Sequence, residues 1–492
     1  MKRIDFDNGK ITTNILQAAL PMLVAQILSL LYNIVDRIYI ARIPNIGTAA
    51  LGAVGLCFPI IVIITAFSNL FGSGGAPLFS IERGRGDKKR AGMIMNTSFF
   101  MLSVCAIVLM CIGFIFARPI LILFGASENA LVYAYPYIMI YLIGTFPSMI
   151  ATGMNPFINA QGYATTGMIS VVIGAIANIV LDPLFIFMLD LGIRGAAIAT
   201  VLSQCLSAGF VLYFLSKKAE YKVRLLYKEE IRTCGKDAKN IVSLGTAGFV
   251  MQLTNSLVNI CCNNVLSATG GDVYVSVMTI ISSVRQMIET PIWSISEGSS
   301  PVISYNYGAR RPERVKKAGI VMAVMALIYT GIMWSVIILA PKYLIKIFSS
   351  DATLIKDVVP ALKLYFTAFI FMDLQYIGQT VFKSLNKRTQ AIFFSLLRKV
   401  FIVVPLTYIL PHTFKMGTNG VFMAEPVSNV IGGSMCFITM LVTVLPELNR
   451  MKDTPLFPSQ DTLHMQFPST PSTTVSKKEK ESSFFNYNQE TK

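Results

Sequence analysis

What most constrains this chain of 492 residues is the recurrence of apolar blocks about as long as a bilayer-crossing helix. At 1.5 Å rise per residue, roughly 20 residues cross a hydrocarbon core ~30 Å thick. Twelve blocks meet that length, at 14–41, 48–80, 92–117, 129–157, 167–189, 195–215, 240–268, 273–305, 317–340, 353–384, 389–411 and 420–445. They predict an all-α polytopic membrane protein with twelve transmembrane helices. Only 14% of residues are charged and 54% are hydrophobic, against about 25% and 45–50% in a soluble domain, which excludes a conventional cytosolic enzyme. The first block is far too long for a signal-peptide core and is expected to remain as the first span.

The net charge of +16 would suggest a nucleic-acid partner in a soluble protein. Here the charges are segregated by side. Thirty of the 42 basic residues fall at 1–10, 82–90, 217–239, 310–317, 383–388 and after 446; the opposite loops hold six. By the positive-inside rule both termini face the cytoplasm of a plasma (inner) membrane protein, and no nucleic-acid partner is expected.

The basic stretch 216–239 divides the twelve blocks into six and six. It predicts an amino-terminal lobe at 1–215, a cytoplasmic linker at 216–239 and a carboxy-terminal lobe at 240–446. A Pro, Ser, Thr and Lys-rich tail at 447–492 has too few apolar residues to offset ordering entropy and is expected to be disordered. An internal repeat supports the division. Pro77-Leu-Phe-Ser-Ile-Glu-Arg-Gly84 corresponds to Pro301-Val-Ile-Ser-Tyr-Asn-Tyr-Gly308, Ala91-Gly92 to Ala318-Gly319, and Gly192-Ile-Arg-Gly195 to Gly417-Thr-Asn-Gly420. Six spans per half make the repeats parallel, related by a pseudo-two-fold axis along the membrane normal.

The eight cysteines have no CxxC spacing and read as small core residues. His412 and His464, in a predicted loop and in the tail, give histidine-based catalysis or metal binding nothing to build on. No GxxxxGK[ST] loop is present, so ATP hydrolysis is not expected. Neither a cofactor nor an enzymatic activity is expected.

Chemistry therefore rests on charges inside the spans. A carboxylate at the bilayer centre costs roughly 2.5–3.5 kcal/mol on insertion scales. Asp36 follows a helix-kinking Pro21 in span one, and the adjacent Arg37 points about 100° away, too far round the helix to be its direct partner. Asn178 and Asp182 lie one turn apart on span five, just before Pro183. They supply the oxygens of a cation or proton site, or equally an Asn-mediated helix contact at a kink. Glu289 follows Arg285 by four residues, a spacing suited to an ion pair. Asp373 and Glu425 are expected to be matched by Arg398 or Lys399, and Glu297 to serve a hinge. Tyr137, Asn155, Gln252, Asn255, Asn259, Arg285, Glu289 and Asp373 are the candidate polar lining of a substrate cavity, with helix-to-helix hydrogen bonding as the competing role. The 24 Met residues suit an adaptable apolar cavity.

These landmarks resemble the multidrug and toxic compound extrusion (MATE) family, in its DinF and MepA-like branch. The resemblance runs over 11–446. It is carried by Leu20-Pro21 with Val35-Asp36, Asn159-Ala-Gln-Gly162, Asn178-Ile-Val-Leu-Asp-Pro183, the glycine and alanine run at 192–200, and Pro301 through Asn306-Tyr-Gly308. It implies two six-helix lobes around a cavity and export driven by inward H+ or Na+. It also implies a coupling site at Asp36, Asn178, Asp182 and Thr200, with no other metal. Small amphiphilic or cationic substrates and a monomer in the lipid bilayer are expected. Span seven lacks the glutamate that some members carry in a carboxy-lobe cation site. A flippase for a lipid-linked saccharide is the alternative. Arg285, Arg398 and Lys399 suit its pyrophosphate, and the acidic amino lobe opposes it.

Overall fold

The computed structural model describes residues 3–346 and 352–451, and these are helical apart from short connections. The first half contains α1 (Ile11–Ala41), α2 (Gly47–Gly84), α3 (Lys88–Leu123), α4 (Glu128–Ile143), α5 (Thr145–Ala160), α6 (Ala164–Pro183) and α7 (Gly192–Tyr213). After the short α8 (Lys228–Thr233) come α9 (Gly235–Gly308), α10 (Pro312–Leu339), α11 (Pro341–Lys346), α12 (Ala352–Phe366) and α13 (Ile370–Ser384). The last are α14 (Arg388–Leu396), α15 (Val404–His412), α16 (Thr418–Ser428) and α17 (Ser434–Arg450). Wider π-helical turns follow α6, α7, α14 and α16, at Leu184–Met188, Phe214–Lys218, Leu397–Val403 and Asn429–Gly433.

Most of the twelve expected spans are single long helices. Among the described residues nine helices are long and apolar enough to cross a bilayer, or ten when α4 and α5, bent by 55°, count as one broken span. Two predicted blocks fall short for physical reasons. The part of α9 beyond Gly271 carries Arg285, Glu289 and Glu297, and block 353–384 is divided between α12 and α13, neither of which has 18 residues. Blocks 240–268 and 273–305, expected to be separate, join with no intervening loop. The chain turns at Gly271 alone, whose φ of 72° is open to glycine and strained for other residues.

Helix reaches into both ends of the basic stretch at 216–239. The turn after α7 continues to Lys218, and α9 has already begun at Gly235. Between them Arg224 closes a bidentate pair on Glu230 at 2.6 and 2.7 Å. Of the expected tail, 447–450 still belong to α17, and everything from 452 lies outside the described residues.

The repeated segments meet one another. Gly84 ends α2 and Gly308 ends α9; a Cβ on Gly84 would stand 2.0 Å from the Tyr305 carbonyl oxygen, and one on Gly308 2.0 Å from that of Ile81. Each glycine is thus pressed against the carbonyl three residues before the other, the reciprocity of two equivalent segments crossing near a local two-fold axis. Earlier on α2, and on the arm of α9 before Gly271, a Cβ on Gly74 would meet Ile241 O at 2.3 Å and one on Gly245 would meet Leu70 O at 1.8 Å. Two helices approach this closely only where side chains are absent.

A strap before α1 ties the two halves on the side of that crossing. Ile4 N donates to Gly162 O at 2.9 Å, and Arg3 pairs with Glu220 at 2.6 Å. From the second half, Arg314 donates to the carbonyls of Phe6 and Gly9 at 3.2 and 2.8 Å, and Arg311 pairs with Asp7 at 2.7 Å. Phe6 is buried, with the Arg83 guanidinium 5.4 Å from its ring centre and Tyr305 6.0 Å away. Phe6→Ala is expected to remove about 3–5 kcal/mol, the range for a buried phenylalanine, and to lower the melting temperature of the solubilised protein. An unchanged melting temperature would contradict this role.

Candidate functional site

α1 packs along α6, and that contact brings the first-half acids together. Asp36 lies five residues before the end of α1, and Asp182 is the penultimate residue of α6, followed by Pro183 before the chain widens into a π-turn. The two carboxyl groups are within hydrogen-bonding reach of each other. Both are acceptors when ionised, and a proton or a cation between them would relieve their repulsion. Asn178 Nδ2 donates to Asp182 Oδ1 at 3.1 Å, one turn back as the i,i+4 spacing predicts.

Three oxygens are left over. Asp36 Oδ1, Asn178 Oδ1 and Asp182 Oδ2 are buried without a hydrogen-bond partner. An orphaned buried acceptor costs about 1–3 kcal/mol, so this convergence of unsatisfied oxygens suits a proton or a hard cation such as Na+. No group of three or more His, Cys, Asp and Glu suited to a metal ion occurs among the described residues. Thr200, the fourth expected member, donates its hydroxyl hydrogen to Ala196 O at 2.9 Å on its own helix. Only its lone pairs remain to offer. Arg37 points elsewhere and lies 5.8 Å from the centre of the Phe58 ring.

Aromatic hydroxyls surround the pair. Tyr137, 3% exposed on α4, is near enough to feel both Asp36 and Asp182. Tyr141 stacks on it at 6.2 Å and accepts from Gln204 Nε2 at 3.3 Å. Tyr32, one turn before Asp36, faces the same charge. Sequence reasoning passed over Tyr32, Tyr141 and Gln204; the available signal was the four-residue spacing of Tyr32 from Asp36 and of Tyr141 from Tyr137.

The other lining candidates divide. Asn155 clamps α5 to α6, donating to Gly167 O at 3.0 Å and Ser170 Oγ at 2.8 Å while accepting from Asn159 at 3.3 Å. Its polar atoms are taken up between helices. Gln252 accepts from Asn69 Nδ2 of α2 at 3.3 Å, Asn255 Oδ1 is buried without a partner, and Asn259 is exposed. Pro21 sits inside an uninterrupted α1.

In the second half Glu425 Oε1 receives three cations at once: Lys399 at 2.9 Å, Arg398 at 3.2 Å and Arg285 at 3.2 Å. Arg285 also holds Glu289 at 2.5 Å and Tyr365 Oη at 2.8 Å. Asp373 departs from expectation. It reaches neither Arg398 nor Lys399, because both turn to Glu425. Its two oxygens are fully buried without hydrogen-bond partners, with Thr330 as a polar neighbour. Glu297, expected at a hinge, is tied to Lys383 at 2.9 Å. Beside these groups a small pocket is lined by Met251, Trp293, Glu297, Tyr376, Gln379 and Lys383, among others.

With this geometry in hand, comparisons place the chain among known proteins. The family profile of MatE matches residues 21–184 and 248–409. The multidrug export protein MepA of Staphylococcus haemolyticus is 24% identical over 447 residues, covering 91% of this chain and 96% of that relative. An FAD transporter of Shewanella oneidensis is 22% identical over 427 residues, covering 86% and 93%. A solved structure of an outward-facing multidrug resistance MATE family transporter of the MOP superfamily superposes with a TM-score of 0.83 at 23% identity, covering 92% of this chain and 99% of that one.

Proposed function

The chain belongs to the MatE family of multi-pass membrane transporters, which are not enzymes, and from that membership we propose that it is a secondary active multidrug exporter. It carries organic, often cationic, compounds outward against an inward flow of H+ or Na+. Reading α9 beyond Gly271 and the α12–α13 pair as spans completes twelve, in two six-helix lobes. The basic side, with both termini, faces the cytoplasm, a reading supported by the thirty-to-six division of basic residues.

The observation that carries this function is the contact between Asp36 and Asp182 with unpartnered oxygens around it. Once both acids are ionised, repulsion and desolvation favour uptake of protons or Na+. A lipophilic cation entering beside Tyr137 neutralises the same charge. Ion and substrate therefore compete, and binding of one favours release of the other. Asn178 orients Asp182, Thr200 offers a further oxygen, and Pro21 lets α1 bend and straighten as that charge changes.

Purified protein in liposomes, with ethidium as the probe cation, tests the reading. Ethidium export is expected under an inward H+ or Na+ gradient and is expected to cease when that gradient is collapsed, with no response to ATP. Active accumulation that persists with both gradients collapsed would contradict it.

A further inference from the structure

The cluster on Glu425 contains more positive than negative charge. Among the described residues the ion-pair partners of Arg285, Arg398 and Lys399 are Glu289 and Glu425, and Lys399 and Arg398 are 1% and 3% exposed. Two donors remain without acceptors, Arg398 Nε and Asn429 Nδ2, both buried. Asn429 is fully buried, and its Oδ1 accepts from Arg398 Nη1 at 2.7 Å. A self-contained structural ion pair would match its charges and satisfy its donors. This group does neither, so it lacks an acceptor of negative charge.

Local backbone geometry is part of the arrangement. Arg398 and Lys399 are consecutive, and neighbours on an α-helix diverge by about 100°. Both nonetheless reach one oxygen, because they lie in the π-turn Leu397–Val403, whose angular step per residue is smaller. Asn429 opens the second π-turn, Asn429–Gly433. Departures from regular helix therefore supply both sides of the cluster. Arg285 is its accessible edge, with a side chain 14% exposed. Tyr376 feels the charges of Glu289, Arg398 and Arg285 and also forms a wall of the small pocket lined by Trp293, Met251, Glu297 and Lys383.

We infer that the carboxy-terminal half holds an oxyanion subsite, in which Arg285, Arg398 and Lys399 take a carboxylate or phosphate group of an amphiphilic substrate. Glu425 is the resident acid that keeps the cations paired between substrates. The first half then presents an acidic site and the second a basic one, so zwitterions and organic anions join cations as substrates. The inference concerns binding and stands or falls independently of how export is coupled.

The test is equilibrium binding to the full chain in lipid nanodiscs, with empty discs as blank. The probes are 1-pyrenebutyrate and 1-pyrenebutanol, which differ only in the anionic group. Energy transfer from the two tryptophans, one of them Trp293 in the pocket wall, reports occupancy. Pyrenebutyrate is expected to bind at least about tenfold tighter, the scale of one charge-assisted hydrogen bond. Lys399→Gln and Arg285→Gln are expected to erase most of that preference without changing pyrenebutanol binding. Glu425→Gln, which removes the competing carboxylate, is expected to tighten pyrenebutyrate binding, an effect of opposite sign that a purely structural role would not produce. Arg285→Gln, at the cluster's edge, keeps the test decisive where the more buried variants fail to fold. Equal affinity for the two probes, a preference that survives Arg285→Gln, or weaker pyrenebutyrate binding in a folded Glu425→Gln protein would overturn the inference.

Discussion

Replacing Asp36 or Asp182 with asparagine is expected to lower gradient-driven export more than about tenfold while leaving the protein folded and in the membrane. Asparagine keeps the size and planarity of aspartate and relieves the repulsion between two facing acids, so folding loses little. What disappears is the charge for which, in the proposed mechanism, ion and substrate compete. A ligand shifts a conformational equilibrium only as far as its differential affinity for the two states, and typical couplings of about 1–3 kcal/mol correspond to roughly 5–150-fold. Removing one carboxylate of two removes most of that difference. Thr200→Ala is expected to do less, because its hydroxyl hydrogen already serves Ala196. Undiminished coupled efflux in Asp36→Asn and Asp182→Asn proteins of confirmed expression would remove the pair from the mechanism.

A comparable loss, by a different route, is expected from a side chain at the helix crossing. A Cβ on Gly84 or Gly308 meets backbone oxygen at 2.0 Å, and backbone cannot swing aside as a flexible side chain can. Overpacking in a core costs typically about 1–3 kcal/mol. Gly84→Val or Gly308→Val puts three carbons against a carbonyl, and the expected loss is at or above the top of that range, seen as a lower melting temperature and little folded protein. The repeat supplies its own control. Gly92 and Gly319 are also equivalent landmarks, and a Cβ at either has nothing within 4 Å. Within helices, Gly92→Ala and Gly319→Ala are expected to be neutral or to stabilise by about 0.5–1 kcal/mol. Equal tolerance at all four positions would contradict the close crossing.

That contrast also separates what was legible in the sequence from what was not. The offset repeat announced that residues 77–84 and 301–308 are equivalent, and the chain brings them together. Periodicity could not tell which glycines touch a neighbour, because Gly84 and Gly92 look alike along the chain. The i,i+4 pair Asn178 and Asp182 was legible because it lies within one helix; its approach to Asp36 depends on two helices packing. Partner choice in the second half was hidden for the same reason. Arg398 and Lys399 could have served Asp373 or Glu425, and only the π-turn, which no residue type marks, turns both toward Glu425. The strap was missed because Ile4 and Phe6 stand in a short polar stretch where no apolar period is visible. The missing loop at Gly271 was missed because a hydropathy dip reads alike whether the chain makes a loop or a single-residue turn.

The proposed competition between ion and substrate for one charge is tested most directly by displacement without transport. Adding ethidium to purified protein in weakly buffered detergent solution, with and without Na+, should release protons or bound Na+ in proportion to ethidium bound. The release should vanish in the Asp36→Asn, Asp182→Asn double variant. Ethidium binding with no release from the unaltered protein, or the same release from the double variant, would contradict the claim that export is driven through this pair.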